Sequence, residues 1–169
     1  TSTELYNVDA RGVNDVGWDL IPGNYERYLN QITPNETSIG RWNVDAPNEP
    51  GSMFGKFARS FDIANGKTGL YFKVDEAFLK NAPIDARYSV TITVTYLDQG
   101  NGSFKFYYDS KSGGVNKAST EVICRNTGTW KKATVKLTDA YFGQRGINGS
   151  DFSIRSTGSS DVIFAMAEL

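Results

Sequence analysis

The stretch Arg87-Tyr88-Ser89-Val90-Thr91-Ile92-Thr93-Val94-Thr95-Tyr96-Leu97 alternates without a break. Val90, Ile92, Val94 and Tyr96 fall on one face, and Thr91, Thr93 and Thr95 on the other. Side chains of a strand point alternately to its two faces, and β-branched residues suit that pleated surface. The run therefore specifies a half-buried strand, and any fold for this chain has to bury its apolar face. After the turn-forming Asp98-Gln99-Gly100-Asn101-Gly102, Ser103 to Tyr108 alternates again, with Phe104, Phe106 and Tyr108 inward. Two such runs across a short Gly-containing turn are expected to pair as a hairpin.

The pattern persists along the chain. Thr120 to Cys124 reads as a strand with Val122 and Cys124 on one face. Lys131 to Leu137 turns Ala133, Val135 and Leu137 inward and Lys132, Thr134 and Lys136 outward. Phe152 to Arg155 and Val162 to Glu168 close the chain as strands. Asp139 to Ser150 is a long loop, with a helical turn expected around Tyr141-Phe142. The first half is less regular. Leu5 to Val8, Ile39 to Val44, Lys56 to Ile63 and Gly69 to Val74 read as strands, and Asp75 to Lys80 as a short helix. No sustained 3.6-residue apolar period appears. About ten closely spaced strands in 169 residues give an all-β fold, a two-sheet antiparallel β-sandwich of jelly-roll type, as a single domain over residues 1–169.

Composition narrows the chemistry. The chain has no His and one Cys. That removes Ser-His-Asp catalysis, His-ligated zinc and an internal disulfide. Eighteen Lys and Arg against nineteen Asp and Glu give a net charge of −1, which argues against nucleic acid and anionic membranes as partners. Thr1-Ser2-Thr3 carries no basic or apolar leader and is expected to open a mature or excised segment. Gly, Ser, Thr and Asn make up about a third of the chain, which suits turns and polar, sugar-compatible surfaces.

Three stretches carry a resemblance: Gly40-Arg41-Trp42 leading to Phe57-Ala58-Arg59-Ser60-Phe61; Val94 to Phe104; and Thr129-Trp130-Lys131-Lys132-Ala133 through Asp139-Ala140-Tyr141-Phe142. The last resembles a region of the non-catalytic β-sandwich domains attached to bacterial polysaccharide-degrading enzymes. Over roughly residues 38 to 169 the chain is similar to a carbohydrate-binding module of that kind. The resemblance implies a jelly-roll domain, secreted or at the cell surface, covalently linked to a glycoside hydrolase or polysaccharide lyase. It also implies binding of a polysaccharide or oligosaccharide on end loops or across a sheet face. Many such domains carry a structural calcium ion. If the first and last strands are neighbours, Glu4, Asp9, Asp161 and Glu168 are the candidate ligands.

The residues themselves offer several sites. Trp18, Tyr25, Tyr28 and Trp42 occupy or border irregular polar segments, with Arg27 and Arg41 among them. Sugar rings stack a C–H face on aromatic rings while their hydroxyls need fixed donors and acceptors, so Tyr25, Arg27, Tyr28, Arg41 and Trp42 form the expected ligand site. Arg27, Arg41 and Arg125 hint at acidic or sulfated glycans. A second candidate is a sheet face carrying Tyr71 and Tyr107 near Thr91, Thr93, Thr95 and Lys105. Trp130 reads as packing over the end of the core, and Cys124 as an inert core thiol. The carboxylate pairs Asp75/Glu76 and Asp45/Glu49 sit beside turns and lack glycosidase geometry, and no nucleophile–base motif is present. The expected activity is non-catalytic glycan binding that targets an attached extracellular enzyme. The alternatives are a protein-binding adhesin or assembly module, and a small polysaccharide lyase.

Overall fold

Alternating apolar runs demand two apolar faces pressed together, and the computed structural model shows that arrangement for the residues it describes, 12–14, 16, 26–49, 55–76 and 89–169. The first sheet has seven strands: β1 (Val13–Asn14), β2 (Glu26–Arg27), β4 (Ile39–Val44), β5 (Lys56–Ser60), β7 (Val90–Asp98), β11 (Thr129–Leu137) and β13 (Ile163–Glu168). The second has six: β3 (Leu29–Gln31), β6 (Gly69–Val74), β8 (Ser103–Tyr108), β9 (Lys117–Ala118), β10 (Val122–Ile123) and β12 (Phe152–Ser156). All pairings are antiparallel.

β13 lies inside the first sheet. One edge pairs with β7. The other is shared, with Ile163 and Phe164 opposite Ser60 and Arg59 of β5, and Ala167 and Glu168 opposite Asn14 and Val13 of β1. The earliest described strand and the last are thus neighbours. The second sheet runs β10-β8-β12-β6-β3, with β9 also on β8. Between the sheets lie Ile92, Val94, Phe104, Phe106, Phe152 and Phe164, each at most 2% exposed. Phe104 makes edge-on contacts with Tyr96 at 5.3 Å and Phe164 at 5.0 Å, joining the two sheets ring to ring. Burying such a side chain contributes roughly 1.5–3 kcal/mol.

The expected inward residues Val90, Ile92, Val94, Tyr96, Phe104, Phe106, Ala133 and Leu137 are buried, and Val135 is half-buried against the core. The expected hairpin does not form. β7 belongs to the first sheet and β8 to the second, so the turn 99–102 is a corner between layers. The apolar faces of the two strands meet across the core. Gly100 takes a φ of 72°, and a Cβ on Gly102 would stand 2.6 Å from Val162 Cγ2. β5 and β6 are likewise split between sheets across the Gly66 turn. Tyr141-Phe142 is not helical. The helical turns in the described residues are a 3₁₀ turn at Ile147–Gly149, another at Ile63–Asn65, and one α-turn at Pro34–Thr37. The expected strand at Leu5–Val8 and helix beyond Glu76 lie outside the described residues.

Candidate functional site

β11 and β7 run in register over nine residue pairs, from Thr129 opposite Asp98 to Leu137 opposite Val90. Ala133 and Leu137 face the core. By alternation Trp130, Lys132, Thr134 and Lys136 face solvent, level with Thr91, Thr93 and Thr95 of β7. Met166 of β13 lies opposite Thr95 on that face, just past a bulge at Ala165. On this outer face the sheet carries an open groove of about 510 Å³. Trp130, Lys131, Lys132, Thr95 and Met166 line one side, and Lys56, Phe57 and Gly55 the other, with Glu49 at the rim.

The rim is strapped in place. After β4 the chain crosses towards the turn before β11. The Asn48 backbone N–H donates to the Gly128 carbonyl (2.8 Å), and Asn48 Nδ2 donates to the Thr127 carbonyl (2.9 Å). The Trp130 N–H donates to Glu49 Oε2 (3.1 Å). Gly128 has a φ of 70°, and a Cβ there would come within 2.6 Å of Asn48 Nδ2, so glycine serves both the backbone and the strap. Lys56 Nζ lies over the Trp130 ring, 5.9 Å from its centroid.

The turn behind Trp130 is organised by Asp98, whose residue is fully buried. Its carboxylate accepts from the Arg125 N–H (2.5 Å), Thr127 Oγ1 (2.6 Å), the Thr127 N–H (3.3 Å) and Lys131 Nζ (2.9 Å). Burial opposes the charge, but these donors outweigh it and hold the Asp98 carboxyl well below the usual carboxylate range. Lys131 is pushed up by the same contact. Cys124 beside them is buried, and burial raises its thiol to about 11, which leaves it protonated and inert at neutral pH.

Trp42 stands on β4 at a bulge, where Asn43 takes a φ of 55°. It is 73% exposed, and its ring meets Phe57 edge-on at 4.5 Å. Phe57 therefore links Trp42 to the groove. Arg41 precedes it on the strand, with its Nε donating to Ser60 Oγ (2.9 Å). Tyr28 lies elsewhere in the fold. It is half-buried at the crossover from β2 to β3, in left-handed conformation (φ 59°), and its carbonyl accepts from the Asp75 N–H. Arg27 is described through its backbone, opposite Val13. Trp18 and Tyr25 lie outside the described residues. The groove lining contains neither Tyr28, Arg41 nor Trp42.

The second candidate face separates. Tyr71, Tyr107 and Lys105 belong to the six-stranded sheet, whereas Thr91, Thr93 and Thr95 belong to the other, so they cannot form one platform. Tyr71 and Tyr107 flank Ser153 of β12 in one row, but Tyr71 is buried and offers no platform, and the Arg155 guanidinium lies 3.6 Å above the Tyr107 ring centre. Of the candidate calcium ligands, Glu4 and Asp9 lie outside the described residues. Asp161 precedes β13, and its Oδ1 accepts from the Ile63 N–H (3.0 Å). Glu168 ends the same strand, near Lys132 (3.7 Å). At ~3.3 Å per residue the two carboxylates are roughly 20 Å apart and cannot share an ion. Among the described residues no group of three or more Cys, Asp or Glu is placed to hold a metal.

The sequence assigns Trp130 to packing and offers Glu49 only as half of a carboxylate pair, and it gives groove residues such as Lys56, Phe57 and Met166 no site role. For Trp130 the signal was present: it shares the parity of Lys132, Thr134 and Lys136, which points it to solvent.

No protein-family model matches the chain, and no curated protein matches it. Among solved structures it is similar to the CBM22-1–GH10 modules of a Clostridium thermocellum endo-1,4-β-D-xylanase complexed with xylohexaose. That match has 13% identity and a TM-score of 0.47, and covers 94% of this chain and 27% of that one. It is also similar to the C-terminal CBM6 of a marine laminarinase from Zobellia galactanivorans, with 16% identity, a TM-score of 0.41, and 94% and 98% covered. A third is the carbohydrate-binding module of a Cellvibrio mixtus lichenase in complex with cellotriose, with 12% identity, a TM-score of 0.35, and 82% and 88% covered. The chain spans about a quarter of the xylanase chain, and each of the three is, or contains, a carbohydrate-binding module.

Proposed function

We propose that this chain is a non-catalytic glycan-binding module whose saccharide site is the outer-face groove between β5 and β11, with Trp42 extending it. One observation carries the reading: Trp42 is 73% exposed, and its contact with Phe57 connects it to a groove that holds a second indole, Trp130. An indole left mostly in water on a strand adds little to the core. It is suited to cover a flat apolar face brought by a ligand, and the C–H face of a sugar is such a surface. Thr95, Glu49 and the lysines supply donors and acceptors for hydroxyls. The module works by equilibrium binding. It holds a covalently attached carbohydrate-active enzyme near its polysaccharide outside the cell, raising the effective concentration of substrate.

A glycan array identifies the ligand, and calorimetry with Trp42→Ala and Trp130→Ala tests the site. Loss of one stacking ring should cost on the order of 1–3 kcal/mol, or about ten- to hundredfold in affinity. For Trp42→Ala the melting temperature should fall only slightly, because most of the ring is exposed and its edge-on contact with Phe57 contributes about 0.5–1.5 kcal/mol. Unchanged affinity in both variants would move the site away from this groove, and an array with no hits would end the glycan reading.

A further inference from the structure

We infer that the groove selects an anionic saccharide, one bearing carboxylate or sulfate groups, and that Lys56 is the residue that makes the selection. The inference rests on the reading of the groove as a saccharide site.

The cations around the groove are of two kinds. Lys131 is committed to Asp98 at 2.9 Å, and Lys132 lies 3.7 Å from Glu168. Among the described residues Lys56 and Arg41 have no ion-pair partner. Lys56 is exposed and lays its ammonium over the Trp130 ring, and Arg41 is exposed and bonded through Nε to the Ser60 hydroxyl. Both point to the same face: Arg41 lies opposite Ala58 and Val44 opposite Lys56, two residues earlier on the same strand. Glu49, the carboxylate at the rim, is engaged by the Trp130 N–H.

The position of Lys56 sets up a competition. A cation is attracted to the face of an indole, and a sugar needs that same face. A neutral saccharide has to displace the ammonium and offers it only hydroxyl acceptors in return. A saccharide with a carboxylate or sulfate draws the ammonium off the ring into an ion pair and takes the vacated face. Arg41 provides a second uncommitted cation on that side. Uncommitted positive charge above a stacking ring therefore favours anionic over neutral chains of the same skeleton.

The test uses matched pairs on the intact chain: oligogalacturonate and oligomannuronate against their carboxyl-reduced forms, and a sulfated galactan oligosaccharide against its desulfated form. Calorimetry at low salt should show at least one anionic member binding about tenfold or more tighter than its neutral partner. Which pair responds separates carboxylate from sulfate as the source of the charge. The advantage should shrink severalfold near 1 M NaCl, where the screening length falls from about 10 Å at 0.1 M to about 3 Å. In Lys56→Met the advantage should vanish, with the anionic member losing about tenfold or more and the neutral partner changing far less, while the melting curve stays put. Equal or tighter binding of the neutral members by the wild type, or an equal loss for both members in Lys56→Met, overturns the inference and leaves the glycan reading intact. Binding of no saccharide on a broad array overturns both.

Discussion

Replacing Asp98 by Asn isolates the anchor behind Trp130. The carboxylate receives four donors, with the Arg125 N–H on Oδ1 and Thr127 Oγ1, the Thr127 N–H and Lys131 Nζ on Oδ2. An amide offers one acceptor oxygen. If its NH₂ takes the Oδ1 position it confronts the Arg125 N–H at 2.5 Å; in the Oδ2 position it confronts Thr127 and Lys131. Hydrogen bonds to a charged group contribute about 1.5–3 kcal/mol, and a buried donor left without an acceptor costs a further 1–3 kcal/mol. Asp98→Asn should therefore lose about 3–5 kcal/mol, a large share of the roughly 5–15 kcal/mol that stabilises a typical domain. Lys131→Met is the control. Its side chain is 39% exposed and leaves three donors on Asp98, so its cost should stay near 1 kcal/mol. Urea unfolding at pH 7, followed by circular dichroism with both slopes compared, gives the two values. Because the Asp98 carboxyl is held below its unfolded value, its contribution is present at neutral pH. It fades as pH falls below about 4, so the gap between wild type and Asp98→Asn should narrow in acid. A loss under about 1 kcal/mol, or one no larger than that of Lys131→Met, would refute the assignment of Asp98 as the anchor of this turn.

Three further outcomes are expected. Asp139 accepts from Lys117 Nζ (2.6 Å), Tyr108 Oη (2.6 Å) and the Ser112 hydroxyl, which overcome its burial and pull the carboxyl down to about 2. It should contribute on the order of 2 kcal/mol above pH ~4 that is lost as pH falls towards ~2, and Asp139→Asn should flatten that limb of the stability–pH curve. Ile92→Ala, at a fully buried core position, should cost about 2–5 kcal/mol in denaturant unfolding; a cost near zero would contradict the packing. Gly128→Ala should cost roughly 1–2 kcal/mol from its left-handed backbone, and by crowding Asn48 should also weaken ligand binding in the groove; affinity unchanged in calorimetry would show that the strap does not shape the rim.

The strand faces were legible because alternation is local. Val90, Ile92, Val94 and Tyr96 announce an inner face regardless of what lies opposite. Pairing was not legible. The same short Gly-rich turn serves a hairpin or a corner between layers, and only the partners that arrive later, β11 and β13 for β7, and β12 for β8, decide between them. The groove was illegible for a related reason. Glu49, Phe57, Thr95, Trp130 and Met166 come from distant segments that register alone brings together. Trp42 stands out in the sequence as an aromatic among polar neighbours, and its ring is exposed and edge-on to Phe57. The turn before Trp130 suggests packing over the core end, whereas its parity with Lys132, Thr134 and Lys136 places it on the outer face.

The place of β13 in the first sheet has a kinetic consequence. Strand 163–168 is the last in chain order, yet it joins β7 to β5 and β1. Until it docks, the first sheet exists as separate pieces with open edges, and its closure must wait for loops of dozens of residues to be brought together. Folds governed by such distant pairings reach the native state in roughly milliseconds to seconds, orders of magnitude slower than helical bundles. During synthesis on the ribosome, residues 1–162 can emerge and still lack the strand that completes the layer, leaving exposed ladder groups open to pairing with neighbouring chains. Shortening the chain by its final seven residues would remove the centre of a sheet rather than trim its margin.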